Sequence, residues 1–151
     1  MAKFIWTEQL NISIAEIDQQ HHRLVEYIDQ LEEAYSGGRS RNKVGELIDE
    51  MVDHTIYHFT FEESMLEKSG YPFTQAHKRL HARLVSRVSD LQARFNQGED
   101  LSRDIHGLLV DWLLDHLKYD DSDYVESAKE YLRKHPAALK ENKGWFGRLF
   151  G

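Results

Sequence analysis

Residues 58–81 read HFTFEESMLEKSGYPFTQAHKRLH, two helix-like halves joined by the turn signal SGYP at residues 69–72. Glycine and proline interrupt regular structure, whereas the residues on either side repeat with helical spacing. Because so short a turn places consecutive helices side by side, the two halves are predicted to run antiparallel. Each half also carries two polar residues four positions apart, and these pairs are His58 with Glu62 and His77 with His81.

The same spacing extends outward from this stretch through four segments of the chain. Each segment has a seam of residues three and four positions apart, the pattern of a packed α-helix. The seams are Ile17, His21, Leu24, Ile28, Leu31 and Tyr35; Val44, Ile48, Met51, Thr55, His58, Glu62 and Met65; His77, His81, Leu84, Val88, Leu91 and Phe95; and Leu101, Ile105, Leu108, Trp112 and His116. The other turn signals are Ser36-Gly37-Gly38 and Asn96-Gln97-Gly98. The predicted fold is all-α, an antiparallel up-down-up-down four-helix bundle.

The two ends of the chain are predicted to differ from the bundle. Residues 1–16 contain several apolar side chains and are expected to form an N-terminal arm laid along the helices. A short C-terminal helix is expected over residues 123–134, before Pro136 stops it. We therefore predict one domain over residues 1–132, followed by a tail of residues 133–151.

Composition limits the classes of function. The 151 residues include no cysteine, which excludes thiolate metal sites and redox disulfides. A net charge of −7 argues against nucleic acid as a partner, since phosphate binding needs a basic face. The tail has five basic residues and one acidic residue, a net charge of +4, which leaves −11 for residues 1–132. With no secretory signal or membrane span, the protein is expected to be cytoplasmic.

Polar residues occupy seam positions that should be apolar, and these residues are His21, His58, Glu62, His77, His81 and His116. A single histidine on such a face is more often a hydrogen-bonded core residue than a ligand. In an antiparallel bundle, however, the start of the first and third helices and the end of the second and fourth share one end, so all six are predicted to converge. Asp121 follows His116 by five residues, which allows its carboxylate to return to the same place. Burying Glu62 without a cation would cost several kcal/mol, so the pattern predicts a metal site.

Seven ligands are too many for one tetrahedral zinc ion, and they fit two ions bridged by two carboxylates better. Imidazole nitrogen with a few carboxylate oxygens suits iron, with manganese or zinc as substitutes in vitro. With a bridging oxo or hydroxo group, five histidines complete six-coordination at one iron and five-coordination at the other. The open position is where O2 would bind.

At these residues the chain resembles the hemerythrin family, and within it the single-domain bacteriohemerythrins. The matching segments are IDQQH at 17–21, HFTFEE at 58–63, HKRLH at 77–81 and DWLLDH at 111–116, followed by Asp121. The resemblance implies that His77, His81 and His116 bind one iron, that His21 and His58 bind the iron with the open position, and that Glu62 and Asp121 bridge the two. It also implies an apolar O2 pocket formed by Leu24, Phe59, Trp112, Leu113 and Leu117. Such a pocket would slow autoxidation by excluding water.

Several neighbouring residues compete for these roles. His22 would point about 100° away from the seam, so His21 is preferred as the inward residue. Asp121 is preferred to Asp120, because it alone keeps the offset from His116. Glu63 is interpreted as a surface acid, His106 and His135 as surface residues, and His54 as a group at the edge of the core or behind the ligands.

Reversible O2 binding, for carriage, storage, delivery or sensing, is the leading functional hypothesis. Oxygen-activating di-iron enzymes use carboxylate-rich ligand sets, whereas five imidazoles disfavour the high-valent states that oxidise substrates. The alternatives are peroxide or nitric oxide reduction with an external electron donor, and O2 or iron sensing through a partner bound to the tail. Residues 136–151 interleave aromatic and basic residues, which suits a membrane surface or a protein partner as well as a disordered end. A monomer is expected.

Overall fold

The computed structural model describes residues 14–116 and 121–137, with residues 121–123 described by their backbone alone. The described residues form five helices and no β-strand: α1 (Ala15–Ser36), α2 (Arg41–Ser69), α3 (Thr74–Asn96), α4 (Ser102–Asp115) and α5 (Asp121–Lys134). The all-α prediction is confirmed.

The three predicted turns separate the first four helices. α1, α2 and α3 end at Ser36, Ser69 and Asn96, the first residue of each turn signal. Gly70 ends α2 with a backbone φ of 72°, in the left-handed region where a side chain causes strain. Ser40 caps the start of the same helix, since its hydroxyl accepts a hydrogen bond from the backbone N–H of Lys43. Local sequence therefore sets where these helices begin and end.

The first four helices pack as a closed bundle. α1 contacts α2 and α4, α3 contacts the same two helices, and α5 lies against α2. The predicted up-down-up-down arrangement is confirmed, with α5 as an additional helix outside the ring of four. Among the described helices, none combines the length and apolar character that spanning a membrane requires.

The seams of α1, α2 and α3 point inward as predicted, whereas the buried face of α4 extends beyond its predicted seam. Leu109 and Leu113 are fully buried, whereas the predicted Leu108 and Trp112 are only half-buried. One residue along a helix corresponds to about 100°, and α4 packs between α1 and α3, so its buried face is broader than the predicted seam. His106 shares the face of Leu109 and Leu113 and is buried, so the prediction that it lies on the surface was wrong.

A layer of polar residues divides the core into two apolar clusters. The larger is built from α1 to α4, with residues such as Leu24, Met51 and Leu84. The smaller joins α5 to the start of α1 and the end of α2, and its members are Ile14, Ile17, Phe61, Met65, Leu66, Tyr71, Tyr124 and Ala128. Each large apolar side chain buried in this way contributes about 1.5–3 kcal/mol. The two clusters therefore exclude water from the polar layer on both sides.

The terminal segments are only partly described. α1 begins at Ala15, so the last two residues of the predicted arm are helical, and residues 1–13 lie outside the described part. α5 begins two residues before its predicted start and ends at Lys134 as predicted. Residues 138–151 of the predicted tail also lie outside the described residues. The proposed division into residues 1–132 and 133–151 stays a prediction.

Candidate metal centre

The polar layer consists of the six seam residues, all buried: His21, His58, Glu62, His77, His81 and His116. His21 lies near the start of α1, and His58 and Glu62 lie near the end of α2. His77 and His81 lie in the first two turns of α3, and His116 directly follows α4. Four helices thus bring six polar side chains to one end of the bundle, as their spacing predicted.

Glu62 lies at the middle of this layer, and its two oxygens face different histidines. Oε1 is 2.5 Å from Nε2 of His77 and 3.2 Å from Nε2 of His81. Oε2 is 3.2 Å from Nε2 of His58 and 3.4 Å from Nε2 of His116. The carboxylate therefore connects two sets of imidazole nitrogens.

The ligand atoms form two overlapping groups that fit the size of a metal site. One group is His21, His58, Glu62 and His116, and the other is Glu62, His77, His81 and His116. Within each group the candidate ligand atoms lie within 4.8 Å of one another. Nε2 of His58 is 3.1 Å from Nε2 of His21 and 3.4 Å from Nε2 of His116. Nitrogens held this close suit ligands that share a cation.

Hydrogen bonds behind two of the histidines orient them for metal binding. Nδ1–H of His58 donates to Oε1 of Gln20 at 2.7 Å, and Nδ1–H of His81 donates to Oε2 of Glu63 at 3.0 Å. With the proton on Nδ1, the Nε2 lone pair of each ring faces the centre. Nε2 of His81 is buried, and its polar neighbour there is Oε1 of Glu62 at 3.2 Å. The donor set therefore fits a metal, and the Nε2 lone pairs of His58 and His81 already face it.

The electrostatics of the layer support neutral imidazoles around an ionised carboxylate. Burial lowers the pKa of His21 well below its usual value, and the neighbouring His58 and His116 lower it further. Burial also lowers the pKa of His58 to about 4. For Glu62, burial raises the pKa, but the adjacent histidines, His116 foremost, outweigh burial and hold it well below the usual range. Neutral imidazole and ionised carboxylate are the forms that ligate metals.

The pKa of His81 shifts in the direction opposite to those of His21 and His58. Burial alone would lower its pKa, but hydrogen bonds to Glu62 and Glu63 outweigh burial and raise the pKa. Because its Nδ1–H donates to the Glu63 carboxylate, the His81 ring is also a stronger electron donor toward a metal.

Aromatic rings wall the centre on the side of the larger apolar cluster. The ring of Phe59 stacks on that of His81, with centroids 3.8 Å apart, and the ring of Trp112 stacks on His116 at 4.5 Å. Phe59 and Trp112 also meet edge to face at 5.0 Å. Leu24 and Leu113, two more residues of the predicted O2 pocket, are buried in the same cluster. Leu117, the fifth, lies outside the described residues.

The structure separates some of the competing residues. His22 is exposed while His21 is buried, so His21 is the inward residue, as the seam predicted. His54 is half-buried and donates from Nε2 to the backbone carbonyl of Gln20 at 3.1 Å, which places it at the edge of the core. α5 begins at Asp121, but the side chain of Asp121 lies outside the described part, and so does Asp120. The role of Asp121 as second bridge stays a prediction.

Three contacts of the centre were not predicted from the sequence. Tyr124 of α5 donates its hydroxyl hydrogen to Oε2 of Glu62 at 3.1 Å. The contact of Gln20 with the centre could have been predicted, because Gln20 lies four residues before Leu24 on the buried face of α1. The contact of Glu63 with His81 could not have been predicted, because Glu63 lies one residue off the seam of α2. The interpretation of Glu63 as a surface acid was wrong, since its side chain is only 25% exposed and pairs with His81.

Comparison with known proteins decides the family. Residues 13–128 match the family model described as the hemerythrin HHE cation binding domain. The chain is 43% identical to the bacteriohemerythrin of Stenotrophomonas maltophilia, over 98% of this chain and 95% of that one. The chain belongs to the hemerythrin family. The bacteriohemerythrin of Pseudomonas aeruginosa is 39% identical over the same shares of the two chains.

Solved hemerythrin structures agree with the family assignment. The crystal structure of wild-type hemerythrin superposes with a TM-score of 0.78 at 29% identity, covering 84% of this chain and 98% of that one. Among the related sequences, myohemerythrin-1 of Phascolopsis gouldii is 25% identical, over 80% of this chain and 91% of that one. The resemblance recognised from the sequence motifs is confirmed.

Proposed function

We propose that this hemerythrin binds O2 reversibly at a two-iron centre. The observation that carries the proposal is the position of Glu62, whose two oxygens face separate histidine sets. A carboxylate placed in this way can bridge two cations, whereas a single ion would need only one set. The absence of cysteine and the predominance of imidazole favour iron over metals that prefer thiolate.

The ligands divide between the two iron ions as the sequence motifs imply. His77 and His81 face Oε1 of Glu62, and His58 faces Oε2 with His21 beside it. His116 belongs to both groups of candidate ligands, and we assign it to the iron of His77 and His81. Asp121 would supply the second bridge at the start of α5. The iron with only His21 and His58 would keep a position open.

The protein side chains orient the ligands and exclude water. When bound, the two iron ions would supply the reversible electron donation that holds O2. Gln20 and Glu63 fix the tautomers of His58 and His81, and Tyr124 holds one oxygen of Glu62. The apolar side chains of Leu24, Phe59, Trp112, Leu113 and Leu117 would line the gas pocket and slow autoxidation.

Metal analysis and optical spectroscopy test this proposal. The purified protein should contain two iron ions per chain and show a visible absorption band that appears with O2 and disappears on degassing. Glu62→Gln should lose the paired site, because the neutral amide cannot bridge two cations. Glu50→Gln, an exposed change on the same helix, should keep both iron and band. One zinc ion per chain, or an unchanged band in Glu62→Gln, would contradict the proposal.

A further inference from the structure

We propose a second binding site, for a phosphate group, at the end of the bundle opposite the histidine layer. A cavity of about 360 Å³ opens there between the end of α1 and the starts of α2 and α4. Its lining residues are Tyr35, Arg39, Arg41, Val44, Phe95, Asp100, Ser102 and Arg103. Tyr35 lies fourteen residues after His21 on α1, about 21 Å along the axis at 1.5 Å per residue. The cavity is therefore separate from the metal centre.

Three arginines and one aspartate give this cavity a positive balance in an acidic protein. Arg41 is held in place: its guanidinium lies 4.1 Å from the centre of the Phe95 ring and donates to the backbone carbonyls of Phe95 and Glu99. Arg39 and Arg103 make no ion pair with another described residue and face the same cavity. Two guanidinium groups without a carboxylate partner are suited to an oxyanion, which each can bind through two hydrogen bonds.

Tyr35 supplies an independent indication of a ligand. Its hydroxyl oxygen is buried and makes no hydrogen bond in the described part of the chain. The ring is oriented by His106, which meets it edge-on at 5.9 Å, and by Arg103, which lies 5.7 Å from its centre. A buried hydroxyl without a partner costs about 1–3 kcal/mol, and an acceptor bound in the cavity would remove that cost.

The chemistry of the lining residues favours phosphate over other anions. Arg39, Arg103 and the Tyr35 hydroxyl offer donors from separate helices and turns, which suits an anion with several acceptor oxygens. Asp100 would repel that anion, so its charge works against binding. The cavity has room beyond one phosphate ion, so the phosphate is either free or carried by a small ester.

Calorimetric titration of the iron-loaded protein tests the site. Inorganic phosphate, at constant ionic strength set with chloride, should bind the wild-type chain, and Arg39→Gln/Arg103→Gln should weaken binding at least tenfold. Tyr35→Phe should weaken it several-fold, whereas Asp100→Asn should strengthen it. The control is Arg83→Gln/Arg87→Gln, which removes the same charge from exposed positions of α3 and should leave binding unchanged. Iron content and helical circular dichroism show that each variant is folded.

Two outcomes would overturn the proposal. If the control and the Arg39→Gln/Arg103→Gln variant lose the same affinity for phosphate, the loss reflects the net charge of the protein and not a site at this cavity. Full binding in the Arg39→Gln/Arg103→Gln variant would place phosphate elsewhere, for example at the iron centre. A parallel titration with phenyl phosphate separates the two sources: equal affinity supports a site for the free ion, and tighter binding of the ester supports a phosphorylated metabolite.

Discussion

Glu62 is fully buried, and a buried carboxylate is costly unless charged or hydrogen-bonding groups surround both oxygens. Here imidazoles face both oxygens, and Tyr124 donates to one of them. Glu62 would destabilise an apolar core, but in this layer it connects two sets of ligands. At the scale of single residues, the centre therefore depends on the groups behind the ligands as well as on the ligands.

The hydrogen bonds that His58 and His81 donate to Gln20 and Glu63 lead to a prediction about metal affinity. Gln20→Ala and Glu63→Ala should each lower iron affinity by about 10–100-fold, because His58 and His81 lose the partners that orient them. Iron retention against a chelator measures the effect. Glu50→Ala is the control on α2, and equal retention in all three variants would mean that the two hydrogen bonds do not matter for metal binding.

His106 leads to a prediction about pH. Burial lowers its pKa below the usual 6.5, so the folded state binds its proton less readily than the unfolded chain does. Stability from this residue is present above pH 6.5 and is lost as the pH falls toward the lowered pKa. Urea unfolding at pH 7.5 and 5.5 should show a smaller loss of stability in His106→Gln than in the wild-type chain.

The exposed His135 provides the control for this pH effect. His135→Gln should leave the difference between the two pH values unchanged. If both substitutions flatten the pH dependence equally, the burial of His106 is not its cause.

At the scale of helices and turns, Gly70 is the residue that lets α2 stop and α3 return beside it. Its φ of 72° lies in the left-handed region, where a side chain is strained. Without this turn, His58 and Glu62 at the end of α2 would not meet His77 and His81 at the start of α3. The register of the centre is therefore coupled to one short connection.

Two glycine substitutions should have opposite effects on stability. Gly70→Ala should destabilise the protein by about 1–2 kcal/mol, because alanine is strained in the left-handed region. Gly107→Ala should stabilise it by up to about 1 kcal/mol, because Gly107 lies inside α4 and alanine favours helix. An added Cβ meets no atom within 4 Å at either position, so sterics do not obscure the comparison. Thermal unfolding measures both changes, and shifts of the same sign would contradict the backbone argument.

At the scale of the whole molecule, the acidic body and the basic tail are predicted to be separable. Removing residues 136–151 should leave iron content and O2 binding intact, because no proposed ligand lies there. If the tail binds anionic lipid, the full-length chain should sediment with anionic vesicles at low salt and be released at high salt, since salt screens the attraction. The truncated chain should stay in the supernatant in both.

The vesicle measurement and the truncation measurement test different parts of the prediction. If neither form binds vesicles, the tail has another partner or packs on its own bundle. If truncation removes iron or speeds autoxidation, the tail is part of the fold and the predicted boundary at residue 132 is wrong.

The sequence by itself was sufficient for the helices, their order and the convergence of six polar residues. Helical spacing, the glycine turns and the burial of histidines on apolar seams are local patterns, and an antiparallel bundle follows from short connections. His21 was distinguished from His22 for the same reason, since one residue rotates a side chain by about 100°.

Only the tertiary structure decided which residues stand behind the ligands and where the edges of each helix face lie. Glu63 is off the seam of α2, and it meets His81 only because α3 packs beside it. His106 is buried because α4 lies between α1 and α3, which widens its inward face beyond one seam. Spacing along a chain specifies the direction of a side chain on its own helix. The partner it meets depends on how neighbouring helices are rotated and shifted, which no single segment encodes.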